Sequence, residues 1–427
     1  MAKATPSQSP SEPKSPETDE KTSILTWFFV AALVYLLLIG VGVIGSGFKW
    51  ASGGSEGAER IFAFATNPVV GVILGTLATA LVQSSSTVTS VIVGLVAGGV
   101  PVSIAVPMIM GANMGTTITN TIVSMGSIRD RSSFGKAFKA ATVHDFFNLY
   151  TILIFLPIEA IFHPLAKLAE SMTSFFIGDY NASMKGFNVM GMMTKPLVSK
   201  VQTGFEMIPE PFGATLMILC GIFMILVSVF QLGKLLRKVM TGPAKKLVEA
   251  AIGRGPVAGI MSGAVITILV QSSSTTTSLV VPLAAAGILT TRQIFRFTLG
   301  ANIGTCVTAV LAATSVSGEG ASVAMQIALV HLLYNFFGVI LFMLVPFLHD
   351  LPLKSADWLG AKTEKSRSWA FGYIGAVFFL LPAAVLGVQM ATGNSKSEVS
   401  STSLMEPNEK PAETEFSNTP LPAIDAP

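Results

Sequence analysis

Val82-Gln83-Ser84-Ser85-Ser86-Thr87 is repeated letter for letter as Val270-Gln271-Ser272-Ser273-Ser274-Thr275. Working outward from these segments, Gly111-Ala112-Asn113-Met114-Gly115-Thr116 returns as Gly300-Ala301-Asn302-Ile303-Gly304-Thr305. His144 and Asn148 are answered by His331 and Asn335. The three offsets are 188, 189 and 187 residues. Three landmarks in one register mark an internal duplication. The apolar stretch at 24–48 aligns at the same offset with 212–236. The chain is therefore read as two copies of one unit.

Composition says what the unit is made of. Of 427 residues, 51% are hydrophobic and 12% charged, with a mean hydropathy of +0.65. Soluble domains carry about a quarter charged residues, so the chain is expected to be solvated by lipid. Stretches 24–48, 212–232, 323–347 and 369–391 are each long enough for a spanning helix, which takes about 20 residues. The first is too long and too far from residue 1 for a cleaved leader. Residues 1–22 and 392–427 are polar and rich in Pro, Ser and Glu, and are expected to be disordered tails. Cys220 and Cys306 both lie in apolar surroundings and read as small hydrophobic fillers rather than a disulfide or metal pair. Asn181-Ala182-Ser183 fits a glycosylation sequon, a pattern common by chance.

Orientation follows from Lys and Arg. With the amino terminus inside, 67–100 forms a hairpin entering and leaving on the outer side. Residues 103–125 then cross inward to Arg129, Arg131, Lys136 and Lys139, and 142–157 cross outward. The span 212–232 returns to Lys234, Arg237, Lys238, Lys245, Lys246 and Arg254, so both basic clusters lie inside. The expected organisation is a tail at 1–22, a first repeat at 23–157, an external loop at 158–210 and a second repeat at 211–347. A cytoplasmic loop with the last helix follows at 348–391, then a tail at 392–427. The first unit begins inside and the second outside, so the copies are inverted. The fold class is an all-α polytopic membrane protein of about seven full crossings, with a re-entrant hairpin and an interrupted helix in each repeat. Inverted repeats with broken helices meeting at the midplane are the architecture of secondary transporters.

The motifs have the chemistry of a binding site. Gln-Ser-Ser-Ser-Thr sits between apolar runs of half a bilayer each, flanked by glycines, which favours a broken hairpin over one continuous helix. Non-helical backbone at that depth is tolerated only when buried in protein or lining a polar cavity. The tips, Gln83, Ser84, Ser85, Ser86 and Thr87 and again Gln271, Ser272, Ser273, Ser274 and Thr275, offer helix-start amides that favour an anion. Their hydroxyls can donate to that anion or accept a cation. In Gly-Ala-Asn-x-Gly-Thr, the glycines would permit local unwinding, with Asn113, Thr116, Asn302 and Thr305 joining freed carbonyls as ligands. The other reading of those glycines is close helix packing. No Asp, Glu, Lys, Arg or His occurs from Ile61 through Ile128 or from Gly255 through Thr291. An anion buried there needs mobile cations, and a hard ion such as sodium suits hydroxyl and carbonyl oxygens. His144 and Asn148, spaced i, i+4, share a helix face, as do His331 and Asn335, and serve as ligands or as polar glue between helices. Asp145, answered by Leu332, is a carboxylate within an apolar run and hence a candidate cation ligand.

Together with Ala141-Thr142-Val143-His144-Asp145-Phe146-Phe147-Asn148, these paired motifs closely resemble the type II sodium–phosphate cotransporters, over about residues 60–160 and 255–350. The resemblance implies sodium-coupled uptake of inorganic phosphate, with sodium as the co-transported ion and no organic cofactor. It implies sodium ligands at Gln271, Ser272, Thr305 and Thr308, and phosphate near Ser84, Ser85, Ser273 and Ser274. An Asp at the position of Asp145 goes with electrogenic members, which move a third sodium ion. Vertebrate members have a large disulfide-bonded external loop and one more crossing. The cysteine-free loop at 158–210 and the end of the chain after 369–391 therefore suggest a bacterial plasma-membrane protein. The expected partners are phosphate, sodium and membrane lipid, with no nucleic acid, and the sequence assigns no oligomeric state. The alternatives are a sodium-coupled carrier of sulfate or a dicarboxylate, and an anion channel. A dicarboxylate calls for an Arg or Lys anchor that the tips lack. Two His and one Asp scattered in apolar helices assemble no hydrolytic site, which argues against an enzyme.

Overall fold

The structure, a computed structural model, describes residues 16–178, 188–251, 254–318, 320–389 and 391. Regular structure among them is helical throughout, as hydrocarbon requires of a segment that must satisfy its own backbone. In chain order the α-helices are α1 Pro16–Ser52, α2 Ser55–Ile61, α3 Pro68–Val82, α4 Ser85–Ala97, α5 Val102–Thr116, α6 Ile118–Ser124, α7 Arg131–Phe162 and α8 Pro164–Gly178. They continue with α9 Asn188–Phe205, α10 Phe212–Ala251, α11 Pro256–Val270, α12 Ser273–Ala285, α13 Thr291–Thr314, α14 Gly320–Leu344, α15 Pro346–Lys365 and α16 Ser368–Gly375. Seven stretches are long and apolar enough to cross a membrane: Ile24–Ser52, Val102–Ser127, Arg131–Phe162, Phe212–Leu236, Thr291–Thr314, Gly320–Leu344 and Ser368–Gln389. The chain is thus a multi-pass, all-α membrane protein. Residues up to Pro382 form one compact unit, and Ala383–Pro427 are a second, of which 383–389 are helical.

Burial sorts the spans. The apolar window of Val102–Ser127 is 83% buried and that of Thr291–Thr314 72%, against 11% for Ser368–Gln389, so the two Gly-Ala-Asn helices form the centre. Around them, α1 and α10 lie side by side. A Cβ placed on Gly40 would meet Ile225, one on Gly47 would meet Ile218, and one on Gly213 would meet Trp50. Rising numbers on one helix against falling numbers on the other make these corresponding helices antiparallel, as inverted copies demand.

Each copy then folds a helical hairpin, α3–α4 and α11–α12, whose first arm runs parallel to the central helix of its own copy. A glycine seam makes that approach possible. An added Cβ on Gly75 would sit 2.0 Å from the Met108 carbonyl oxygen, and one on Gly111 1.9 Å from that of Val72. The second copy repeats this at Gly263, 2.0 Å from the Phe297 oxygen, and Gly300, 1.8 Å from that of Ile260. One turn on, Gly115 and Gly304 would each meet a threonine Cβ, of Thr79 and Thr267, at 2.7 Å. Backbones this close pack through Cα–H and carbonyl contacts, open only where no side chain intervenes.

This corrects the expectation of unwinding at the glycines. α13 runs unbroken through Gly300 and Gly304, and α5 stays helical through Gly111 and Gly115. The first copy is interrupted only at Thr117, between α5 and α6, where φ −75° and ψ −19° keep the backbone right-handed. A second difference concerns 158–210, expected as a loop, where α7 extends to Phe162 and α8 and α9 follow. The Glu159 carboxylate accepts from the amides of Leu165 at 2.8 Å and Ala166 at 3.0 Å, satisfying free donors at the start of α8. α15 likewise occupies much of the loop expected after 348, and α1 begins at Pro16, within the expected tail. The 1–15 and 392–427 segments and the Asn181 sequon lie outside the described residues.

Gly300→Ala is expected to force α13 off α11, at a cost of about 1–3 kcal/mol or more. It should lower the thermal unfolding midpoint in detergent. Gly204→Ala on α9, with nothing within 4 Å of its added Cβ, should leave the midpoint unchanged or slightly raised.

Candidate functional site

The two tips have one geometry. α3 ends at Gln83 and α11 at Gln271, both left-handed, with φ 58° and 55°. The next residues, Ser84 and Ser272, are extended N-caps of α4 and α12, each hydroxyl accepting from a backbone N–H at 3.2 Å, of Thr87 and Thr275. The Thr87 hydroxyl donates to Ser84 Oγ at 2.9 Å, and in the second copy Ser272 Oγ donates to Thr275 Oγ1 at 3.0 Å. The glutamine amides turn back onto their own helices: Gln83 Nε2 donates to the Ala80 carbonyl, and Gln271 Nε2 to that of Ile268 at 2.6 Å. Their oxygens accept from the central helices, Gln83 from Thr119 Oγ1 at 2.8 Å and Gln271 from Thr308 Oγ1 at 2.9 Å. Thr119 is the repeat mate of Thr308. The duplicated register identifies it once Thr308 is singled out.

What each tip leaves over is anion chemistry. With N3 capped, the first two N–H groups of α4 and of α12 have no partner within the helix. The hydroxyls of Ser85, Ser86, Ser273 and Ser274 have no protein partner among the described residues and are shielded from bulk solvent, at 3%, 3%, 3% and 8% exposed. One link between the copies runs from α12 to α6, where Thr277 Oγ1 donates to Asn120 Oδ1 at 2.7 Å. The hydroxyls of Thr116 and Thr305 donate back along their helices, to Ala112 O at 3.1 Å and Ala301 O at 3.0 Å, leaving their lone pairs as the available function.

Asn113 and Asn302, expected at the substrate, are occupied elsewhere. Asn302 Nδ2 donates to Asn148 Oδ1 at 2.8 Å, and Asn302 Oδ1 accepts from His144 Nε2 at 2.7 Å. In the mirror arrangement Asn113 Nδ2 donates to Asn335 Oδ1 at 2.7 Å, and its Oδ1 accepts from His331 Nε2 at 3.1 Å. Each central asparagine is thus held by the His–Asn pair of the other copy. These groups are all buried, and the pairs act as glue between repeats. The copies differ at the second ring nitrogen. His144 Nδ1 faces Asn120 Nδ2 at 3.4 Å, whereas His331 Nδ1 has no partner, Ala309 standing where Asn120 would.

Asp145 is fully buried on α7. Its Oδ2 accepts from Tyr373 Oη at 3.0 Å and Thr121 Oγ1 at 3.4 Å, while Oδ1 has no partner. Thr121, Asn120, Thr277 and Tyr373 were not picked out by the motifs; only Thr119 had a repeat mate to announce it. Among the described residues, no group of three or more His, Cys, Asp or Glu could hold a metal ion.

Asn302→Ala is expected to strand the His144 donor and the Asn148 oxygen, at about 1–3 kcal/mol for each buried group. His144→Ala added to it should cost less than its single effect. The cycle should give a coupling of about 0.5–3 kcal/mol from unfolding midpoints; strict additivity would show that the bond carries no stability.

The sequence profile described as Na+/Pi-cotransporter matches residues 36–178 and 224–350, both copies. The chain is 31% identical to sodium-dependent phosphate transport protein 2A of Rattus norvegicus, over 87% of this chain and 68% of the relative. It is 32% identical to protein 2A of Ovis aries over 84% and 67%, and 28% identical to protein 2B of Homo sapiens over 88% and 68%. No solved structure matches it significantly. With most of each repeat inside the matched regions, the chain belongs to the Na+/Pi-cotransporter family.

Proposed function

We propose that the protein is a secondary active symporter that carries inorganic phosphate into the cell with sodium, by alternating access between its inverted units. The observation that carries this reading is the pair of identical tips in charge-free segments, each with two free helix-start amides and two unpartnered hydroxyls on buried serines. Burying an unpaired oxyanion is very costly, and these tips hold no Lys or Arg to meet its charge. Mobile cations bound with the anion supply the missing charge, and that joint requirement produces coupling. The names of the relatives, sodium-dependent phosphate transport proteins, agree with this cargo. A carrier, and not an enzyme, is what such a site makes.

Within this reading Ser84, Ser85, Ser86, Thr87, Ser273, Ser274 and Thr275 face phosphate, with Gln83 shaping the first tip. Gln271, Ser272, Thr305 and Thr308 hold sodium, as does Thr116 in the first copy. Asp145 takes a further cation. Asn113 and Asn302 leave the substrate set and become the pins between repeats. The basic residues following α6 and within α10 favour an amino terminus on the cytoplasmic side of the membrane.

The test is uptake of labelled phosphate into proteoliposomes under an inward sodium gradient, against potassium in its place. Accumulation that needs sodium and resists excess sulfate is expected. Phosphate flux indifferent to sodium would point to a channel, and competition by sulfate would point to a broader oxyanion carrier. Thr308→Val, which removes the hydroxyl held by Gln271, should raise the half-saturating sodium concentration about tenfold while phosphate uptake persists at high sodium.

A further inference from the structure

The Asp145 pocket exists in one copy alone. Where the first copy has Thr117, Asn120, Thr121 and Asp145, the second has Cys306, Ala309, Val310 and Leu332 at the matching positions. Four polar residues have become smaller or apolar ones, while the surrounding framework of glycine, asparagine and histidine is kept. The carboxylate is fully buried, no cationic side chain pairs with it among the described residues, and its Oδ1 has no partner. A carboxylate oxygen held this way, beside Thr121, is a seat for a cation.

The other oxygen is tied to a helix outside both repeats. Tyr373, on α16, gives its phenol to Asp145 Oδ2 at 3.0 Å. Its ring is fixed by Phe138, edge-on with centroids 6.2 Å apart, and Phe146, tilted at 5.9 Å. Both phenylalanines lie on α7, as Asp145 does. The span that α16 opens is 11% buried, and α16 also packs through the fully buried Ala370, beside Phe134 and Leu359, and through Trp369, edge-on to Trp358 of α15 with ring centroids 5.8 Å apart. Packing of Ala370, Trp369 and the Tyr373 ring thus holds α16 in place, and the phenol of the half-buried tyrosine reaches the buried carboxylate.

The geometry points to Tyr373 as the positioning residue of this one-sided cation site: by anchoring Oδ2 it aims the unpartnered Oδ1 at a sodium ion, and so makes the last helix part of the coupling machinery. The inference rests on the symport reading for the identity of the cation. Removing an anchor behind a ligand typically costs 10–100-fold in metal affinity. For a weakly held monovalent ion the lower end applies. Tyr373→Phe keeps the ring and its contacts, so the helix stays docked and only the donor is lost.

The experiment measures binding of radioactive sodium to the purified full chain in nanodiscs, for wild type, Tyr373→Phe, Thr121→Val and Asp145→Asn. Charge moved per phosphate is measured on the same proteins in liposomes. Tyr373→Phe should raise the half-saturating sodium concentration about tenfold, with an unchanged unfolding midpoint and a smaller charge per phosphate, as for Asp145→Asn. Thr121→Val, which removes another donor without touching α16, should move the same way. The proposal is overturned if Tyr373→Phe matches wild type in both readouts, or if wild type binds no sodium. It is equally overturned if Tyr373→Phe lowers the unfolding midpoint while sodium binding by the folded fraction is unchanged, since the tyrosine is then structural. Sodium-independent phosphate uptake by wild type would sink the symport reading instead, and the binding comparison would still decide for or against Tyr373.

Discussion

A peptide group at membrane depth has no water to fall back on, and this constraint shapes the centre of the molecule. A hairpin that stops halfway leaves carbonyls at the end of one helix and amides at the start of the next. The Gln–Ser pair deals with both ends. The left-handed glutamine closes its helix with its own amide on a carbonyl three residues back, while the serine hydroxyl caps one amide of the next helix. The amides that remain uncapped are those that an anion can use. Satisfying the backbone and building the site are one arrangement.

That arrangement needs a neighbour at close range. The glutamine oxygens are held by Thr119 and Thr308, which reach them because the glycine seam lets α5–α6 and α13 lie nearly backbone to backbone against the hairpin arms. The same helices present Asn113 and Asn302 on another face, where each is gripped by the opposite copy. Every central helix therefore joins a tip of its own copy to a His–Asn pair of the other. A shift of one copy against the other must carry the tips with it or break buried hydrogen bonds. Alternation around a fixed centre fits such wiring better than independent motion of either hairpin.

The duplication, the hairpins and the seven spans were legible because each leaves a local mark: a repeated string, half-length apolar runs, full-length apolar runs. The glycines were legible as important but not in kind. A Gly-x-x-x-Gly spacing serves unwinding or close approach equally, and what decides is whether a second backbone lies opposite, which spacing cannot reveal. The i, i+4 pairing of His144 with Asn148 gave a shared face without saying that its partner was Asn302 of the other copy. Residues 158–210 read as a loop because their apolar positions are too sparse for a span. Yet Glu159 and the helices after it show that a segment without a long apolar run can still be helical. Tyr373 left no mark at all, since it lies beyond both repeats and its partner is distant in sequence.

Symmetry explains the framework, and departures from it explain direction. Two perfect inverted copies would make inward-facing and outward-facing states mirror images of nearly equal energy. Here the first copy carries a carboxylate, two threonines and an asparagine that the second lacks, while the second buries a histidine nitrogen with no partner. A buried carboxylate with one free oxygen costs free energy until a cation arrives. The mirror position holds Leu332, which no cation can relieve. In the proposed symport, sodium entering the first copy would lower the energy of whichever state exposes or encloses Asp145, without an equal effect on the opposite state. A differential of that kind is the only way a ligand can shift a two-state equilibrium. Under the proposed alternation, a difference in polar residues between two copies of one unit is thus enough to make a near-symmetric pair respond to one ion.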